Sequence, residues 1–320
     1  MLKFTYVLTS ARNDYYPEQA YVSMYSLRKH HPEAHITLVA DPATLDSLKG
    51  RRARVMELVS EVVSADVPSE LTPVQKNRFL KTSLRKLVKG DLMYLDNDTV
   101  VMGDLSGLEN QPGDFLAVLD HHKKLELKDY PQLSQYLNKT KKTLWDYPLY
   151  FNGGVWLARD TEKTHSFFET WHNLWNEERV NFGINIDQPS FAQANIENGC
   201  MIEEMEPGYN CQIFLPEAKP YLFDTKIAHY FSNSENSTLY PLNREDVLKE
   251  VRAGGITEKI KEVVNNPVTA YLNVSLILSG DELQKDYYAP FAILSRKLAR
   301  TFPFLNSWAR LIYRLFGYKI

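Results

Sequence analysis

The chain has 320 residues, with 37 Lys and Arg against 40 Asp and Glu, for a formal net charge of −3. That balance excludes a general nucleic-acid binder, which is usually basic. Hydrophobic residues make up 44% and charged residues 24%, the composition of a globular protein with a sizeable core. The length predicts one large α/β domain with an appendage. Two cysteines, Cys200 and Cys211, are too few for a disulfide framework and suit free thiols in a reducing compartment. MLKFTYVLTS has no apolar core long enough for export, and no run approaches the ~18 apolar residues of a membrane span. A cytoplasmic location is expected.

In chain order, KFTYVL (3–8) reads as a first strand, followed by a polar loop, TSARNDYYPEQ. Residues 18–30 space Ala20, Met24 and Leu27 as a helix does. HITLVA (35–40) is a second strand, DPATLDSLKG a capped helix ending at Gly50, and VMELVSEVVS contains a third strand. A helix over 73–89 opens at Pro73 and closes at Gly90. LMYLD is the fourth strand, FLAVLD (115–120) and YFNGGVWLA (150–158) are further strands, and helices are predicted at 161–178 and 187–197. Strand alternating with helix predicts a mostly parallel central sheet flanked by helices. We place the main domain at 1–240 and a helical C-terminal region at 241–320.

The informative stretch is LMYLDNDTVV (92–101). In an extended chain residues i and i+2 point the same way, so Asp96 and Asp98 converge at a strand end, where α/β sheets bind ligands. Two carboxylates so close repel unless a cation lies between them. A hard divalent ion that also takes phosphate oxygens is the natural partner. The competing reading is a pair of loop-capping carboxylates.

LMYLDNDTVV resembles the D-x-D segment of nucleotide-sugar glycosyltransferases with the A-type fold, and most closely glycosyltransferase family 8, which includes bacterial lipopolysaccharide galactosyl- and glucosyltransferases. YFNGGVWLARD (150–160), NIDQPSF (185–191) and KIAHYF (226–231) are similar to three further segments of that family, in the same order, over roughly residues 3–232. The resemblance implies a metal-dependent, retaining hexosyltransferase. Asp96, Asp98 and His229 would hold Mn2+ (or Mg2+), and the ion would hold the donor's diphosphate. Thr9, Asn13, Asp14, Arg78 and Asn97 would contact a UDP-hexose donor, with Tyr15 or Tyr16 stacked on the base. Asn152, Asp187 and Gln188 would line the sugar and the reacting centre. The acceptor would be a glycan or a lipid-linked glycan in cell-surface polysaccharide synthesis, with Trp145, Tyr150 and Trp156 as candidates for its cleft.

Two departures stand out. Pro189 replaces an acid after the Asp-Gln pair. The run after His229, YFSNSENSTLYP, lacks the Gly and Lys with which the family clamps the diphosphate, so Lys226, Arg244 or chiefly the metal is expected to neutralise it. Asp187 also suits a helix N-cap, and His229 a satisfied core histidine.

Residues 285–320 interleave Lys285, Arg296, Lys297, Arg300, Arg310, Arg314 and Lys319 with Phe302, Phe304, Trp308, Tyr313, Phe316 and Tyr318. That pattern suits peripheral contact with an anionic membrane and equally a helical pair packed on the main domain. Two rival functions share the acidic motif. One is a haloacid-dehalogenase-like phosphatase with Asp96 as nucleophile and GDFLAVLD as its later acidic motif. The other is a sugar-binding protein that has lost turnover.

Overall fold

The computed structural model describes residues 2–11, 13–124, 131–141, 149–231, 240–267 and 289–302, together with 304 and 308. A seven-stranded sheet is built from β1 (Lys3–Leu8), β2 (His35–Ala40), β3 (Glu61–Ser64), β4 (Leu92–Leu95), β6 (Phe115–Leu119), β7 (Phe151–Ala158) and β8 (Ile202–Glu204). Its order is β3-β2-β1-β4-β7-β6-β8. Strands β3, β2, β1 and β4 run parallel. Strand β7 is antiparallel to both of its neighbours, and β6 pairs β8 in parallel. The mostly parallel α/β architecture is as the sequence predicts.

Near-continuous apolar runs form β1, β2, β4, β6 and β7 because both faces are covered, while the edge strands β3 and β8 are short and partly exposed. On one face Phe4, Tyr6 and Leu8 of β1 meet Met93 and Leu95 of β4 and Met24 and Leu27 of helix α1 (Tyr16–His30). On the other, Leu92 and Tyr94 meet Phe115, Trp156, Phe167, Phe168 and Trp171. Phe167, Phe168 and Trp171 come from α6 (Glu162–Phe182), which opens with a capping box at Thr161 and closes on left-handed Gly183 at φ 65°. Glycine meets no steric penalty in that conformation.

A smaller sheet, ordered β5-β10-β9, joins Thr99–Val101 (β5), Ile227–His229 (β10) and Cys211–Gln212 (β9). Tyr6 Oη, Ser23 Oγ and Thr99 Oγ1, all buried, are linked at 3.1 and 2.9 Å and tie β1, α1 and β5 together.

Three elements differ from expectation. The helix after β2 is short, α2 (Pro42–Ser47), and Gly50–Leu58 is a 3-10 helix with only Val55 buried, so β3 is confined to Glu61–Ser64. The helix expected over 73–89 divides into α3 (Pro73–Thr82) and α4 (Leu84–Leu87). The division falls where the Thr82 and Ser83 hydroxyls turn to His172 Nδ1, at 2.8 and 3.2 Å. Helix α5 (Pro131–Thr140) and α7 (Gln188–Glu197) complete this layer.

The chain divides into two units, Met1–Leu272 and Asn273–Ile320. Helices α8 (Glu245–Gly254) and α9 (Glu258–Asn265) lie in the first. Their Val247, Val251, Ile260 and Val264 pack with Val22, Val100 and Ala228. The helical stretch expected from residue 241 is thus shared between the units. The second unit contains α10 (Pro290–Thr301), on which Phe291 is 81% exposed and Ile293, Leu294 and Leu298 are exposed too. Among the described residues no helix is long and apolar enough to cross a membrane.

Candidate active site

Strand pairing assembles the acidic corner. The Asp96 amide donates to the Gly154 carbonyl at 2.8 Å, extending the β4–β7 ladder by one residue beyond Leu95↔Val155. In the small sheet His229 lies opposite Thr99, and the Tyr230 amide donates to the Asp98 carbonyl at 3.1 Å. One ligand atom from each of Asp96, Asp98 and His229 lies within 4.8 Å of the others, and His229 Nε2 is 3.3 Å from Asp98 Oδ1. Two carboxylates and an imidazole form a donor set for a divalent cation that tolerates nitrogen, such as manganese.

Gly154 makes this convergence possible. A Cβ there would stand 2.3 Å from His229 Cε1 and 2.8 Å from Asp96 Oδ2. Tyr94, packed on Trp156 with ring centroids 4.9 Å apart, donates its hydroxyl to Asp96 Oδ1. Burial, reinforced by the Asp96 charge, holds that phenol well above its usual pKa, so it stays a donor.

The cleft has two lobes that share Arg78, Asp96 and Asp98. One, about 130 Å³, is lined by Thr9, Tyr16, Gln19, Val74, Asn77 and Asn97. The other, about 410 Å³, is lined by Lys81, Asn152, Gly153, Gly154, Asp187, Gln188 and His229. The second alone has the size of a ligand site.

The second lobe is held by ion pairs. Asp187 stands at the N-cap of α7, but its side chain makes no cap hydrogen bond. Its Oδ1 instead pairs with Arg78 Nε at 2.9 Å and its Oδ2 with Lys81 Nζ at 3.5 Å. Lys81 is 3% exposed, lies 3.5 Å from Asp96 Oδ1 and sits 4.8 Å from the centre of the Tyr94 ring. Burial pushes the Asp187 carboxyl up, but Arg78 and Lys81 together hold it below the usual carboxylate range. Asp187 in turn raises the Arg78 guanidinium.

Of the residues singled out from sequence, the fold brings together Thr9, Arg78, Asp96, Asn97, Asp98, Asn152, Asp187, Gln188 and His229 along this cleft. Asn13 and Asp14 do not line it. Asp14 instead braces its own loop, accepting from Ser10 Oγ at 2.6 Å and pairing with Arg52 at 3.3 Å. Tyr16 lines the first lobe, whereas Tyr15 stacks under Arg252. Lys226 sits beside Gly103, at the far end of β10 from His229, and Arg244 pairs with Asp246 at the surface. Tyr150 and Trp156 are buried in the core, and Trp145 lies outside the described residues. The acidic pair follows the fourth strand, not the opening one a dehalogenase-like phosphatase uses.

Sequence reasoning notes Lys81 one turn from Arg78 but cannot separate it from a solvated helix face such as that of Lys86, and so prefers Arg78 alone. It missed Tyr94, counted as part of an apolar run. Asp120, at the end of β6, had a usable signal: a carboxylate at a strand's carboxyl end, as with Asp96. Asn210 had none.

The architecture is that of the A-type nucleotide-sugar glycosyltransferase fold. Among solved structures, galactosyltransferase LgtC, in complex with donor and acceptor sugar analogues, matches over 81% of this chain and 99% of its own, at 14% identity and a TM-score of 0.54. The apo bifunctional glycosyltransferase WbbM matches over 82% of this chain at 14% identity and a TM-score of 0.52, and this chain spans about half of it (51%). GlyE from Streptococcus pneumoniae matches over 83% of this chain and 64% of its own at 17% identity and a TM-score of 0.50. No family model and no curated relative matches the sequence.

Proposed function

We propose that this protein is a metal-dependent, retaining hexosyltransferase that uses a UDP-hexose and elongates a glycan or lipid-linked glycan for the cell surface. The observation that carries the reading is the convergence of Asp96, Asp98 and His229 where the two lobes of the cleft meet. A cation bound there would neutralise the diphosphate and act as a Lewis acid on the leaving group.

The remaining roles belong to the chain. Thr9, Tyr16 and Asn97 offer hydroxyl and amide groups to the nucleoside in the first lobe. Asn97 Nδ2 is anchored to the Val7 carbonyl at 3.1 Å, while its buried Oδ1 finds no hydrogen-bond partner among the described residues. Arg78 and Lys81 supply positive charge that the segment after His229 lacks. Asp187, ionised and doubly paired, positions those two cations and is a poor base. Gln188 opens α7 at the cleft with a neutral amide, which hydrogen-bonds the sugar and takes up no proton. A retaining reaction then leaves the acceptor proton to the departing phosphate on the same face.

Nucleotide sugars screened by thermal shift with and without Mn2+ test this. At 100 times the dissociation constant a ligand adds about 2.7 kcal/mol, which raises Tm by about 4 °C in a chain this long. UDP-hexoses should stabilise only with the metal. Stabilisation by no nucleotide sugar refutes the proposal, and binding without slow donor hydrolysis favours a sugar-binding protein without turnover.

We also propose peripheral contact with the inner face of an anionic membrane through residues 285–320. The exposed Phe291, Ile293, Leu294 and Leu298 of α10 support it, as do the basic residues around them, each worth about 1 kcal/mol at such a surface. The full chain should cosediment with phosphatidylglycerol-containing vesicles at low salt, and a chain ending at residue 272 should not. Equal behaviour of the two refutes it.

A further inference from the structure

Behind the acidic corner lies a line of buried amides that nothing in the proposed reaction uses. His229 Nδ1 is 3.0 Å from Asn210 Oδ1. Asn210 Nδ2 is 2.9 Å from Asn152 Oδ1. Asn152 Nδ2 is 2.7 Å from Asp120 Oδ1. Asn210 is fully buried, and Asp120, Asn152 and His229 are each at most 6% exposed.

The direction of this line follows from what each group can do. An ionised carboxylate only accepts, so the Asn152 atom facing Asp120 is its NH2. The Gly154 amide, 2.9 Å from Asn152 Oδ1, fixes the same orientation independently, because turning the amide over would set two N–H groups against each other. With Asn152 oriented, its carbonyl must receive the Asn210 NH2. The Asn210 carbonyl then faces His229 and must accept a hydrogen bond from Nδ1–H. The hydrogen bond at one imidazole nitrogen decides what the other can do. Nε2, on the Asp98 side, is thereby presented as the ligating nitrogen.

We propose that Asp120, Asn152 and Asn210 are positioning residues that fix the Nδ1–H form of His229 and aim its Nε2 at the cation. Free histidine in water prefers the opposite form, with the proton on Nε2, so the relay holds the less common one. Asp120 and Asn210 do not line the cleft and act only through their neighbours. The inference rests on the metal reading for its purpose but not for its geometry.

Long-range 1H–15N NMR of the full chain, with the His229 signals identified by their loss in His229→Gln, tests it. Nδ1 should carry the proton in the metal-free protein and again with saturating Mg2+. In Asn210→Leu that preference should be lost, and the Mn2+ dissociation constant, read from the EPR signal of free Mn2+, should rise about 10-fold or more, the usual effect of removing such a support. A bare Nδ1 in the unsubstituted protein overturns the proposal. So does a folded Asn210→Leu with unchanged Mn2+ affinity and unchanged His229 proton position. Should Asn210→Leu fail to fold, the spectrum of the unsubstituted protein still decides. Should that protein bind no Mn2+ at all, the metal reading fails while the same spectrum judges the relay separately.

Discussion

The two sides of the second lobe are built differently. The acidic corner hangs on sheet ladders: Asp96 extends the β4–β7 pairing, and His229 lies opposite Thr99 in the small sheet. The facing wall hangs on helix ends, with Arg78 and Lys81 from α3 held to Asp187 before α7 by ion pairs. A ladder fixes position by main-chain hydrogen bonds, whatever the pH. An ion pair fixes it only while its carboxylate stays charged. The acidic corner is thus fixed by main-chain pairing, and the facing wall is adjustable by charge.

Substitution at Gly154 attacks the rigid side most severely. Gly154→Ala puts a methyl group into His229 and Asp96. Overpacking of this kind costs about 1–3 kcal/mol. Mn2+ binding, read by EPR, should fall by well over 10-fold. Unchanged affinity would mean the corner is softer than its ladders imply.

Lys81→Met attacks the other side. It leaves Asp187 buried with one of its two cations gone. Breaking one partner out of a buried pair costs about 3–5 kcal/mol, so a Tm drop of about 4–8 °C is expected from thermal melts. Donor turnover should fall while Mn2+ affinity stays within a few-fold. If Mn2+ affinity collapses instead, the two sides are one unit.

The smallest effect, and the sharpest in sign, is in pH. The folded-state pKa of Asp187 lies below its ordinary value of about 3.9. Its pairing therefore stabilises the fold above that ordinary value and is lost as pH falls through the depressed one. Tm measured from pH 6 down to 2 should drop less steeply at the acid end in Asp187→Asn than in the unsubstituted protein. Parallel curves would contradict the ion-paired wall.

Much of this was legible in the residues. The central strands declare themselves as apolar runs, and Pro73 after Thr72 marks a helix start that a full capping box then realises. Asp96 and Asp98 are two apart in sequence, so local geometry alone brings them together. His229 is legible only through the order of motifs, because pairing with β5 over more than a hundred residues puts it in place. Lys81 and Asn210 were not legible, since their roles come from what packs around them. Lys81 has the same sequence context as the solvated Lys86. Asn210 gains meaning only when Asn152 and His229 arrive on either side. Asp14 shows the converse: a polar residue in the right loop, claimed by Arg52 and Ser10 instead.

The central claim is that Asp96, Asp98 and His229 hold one cation against a nucleotide-sugar diphosphate. Crystals grown with Mn2+ and UDP, measured at the manganese absorption edge, test it directly. The account predicts a single anomalous peak within bonding distance of all three side chains, with the diphosphate on its open side and the uridine toward Thr9 and Tyr16. Manganese bound elsewhere, or a nucleotide lying outside the cleft, would contradict it.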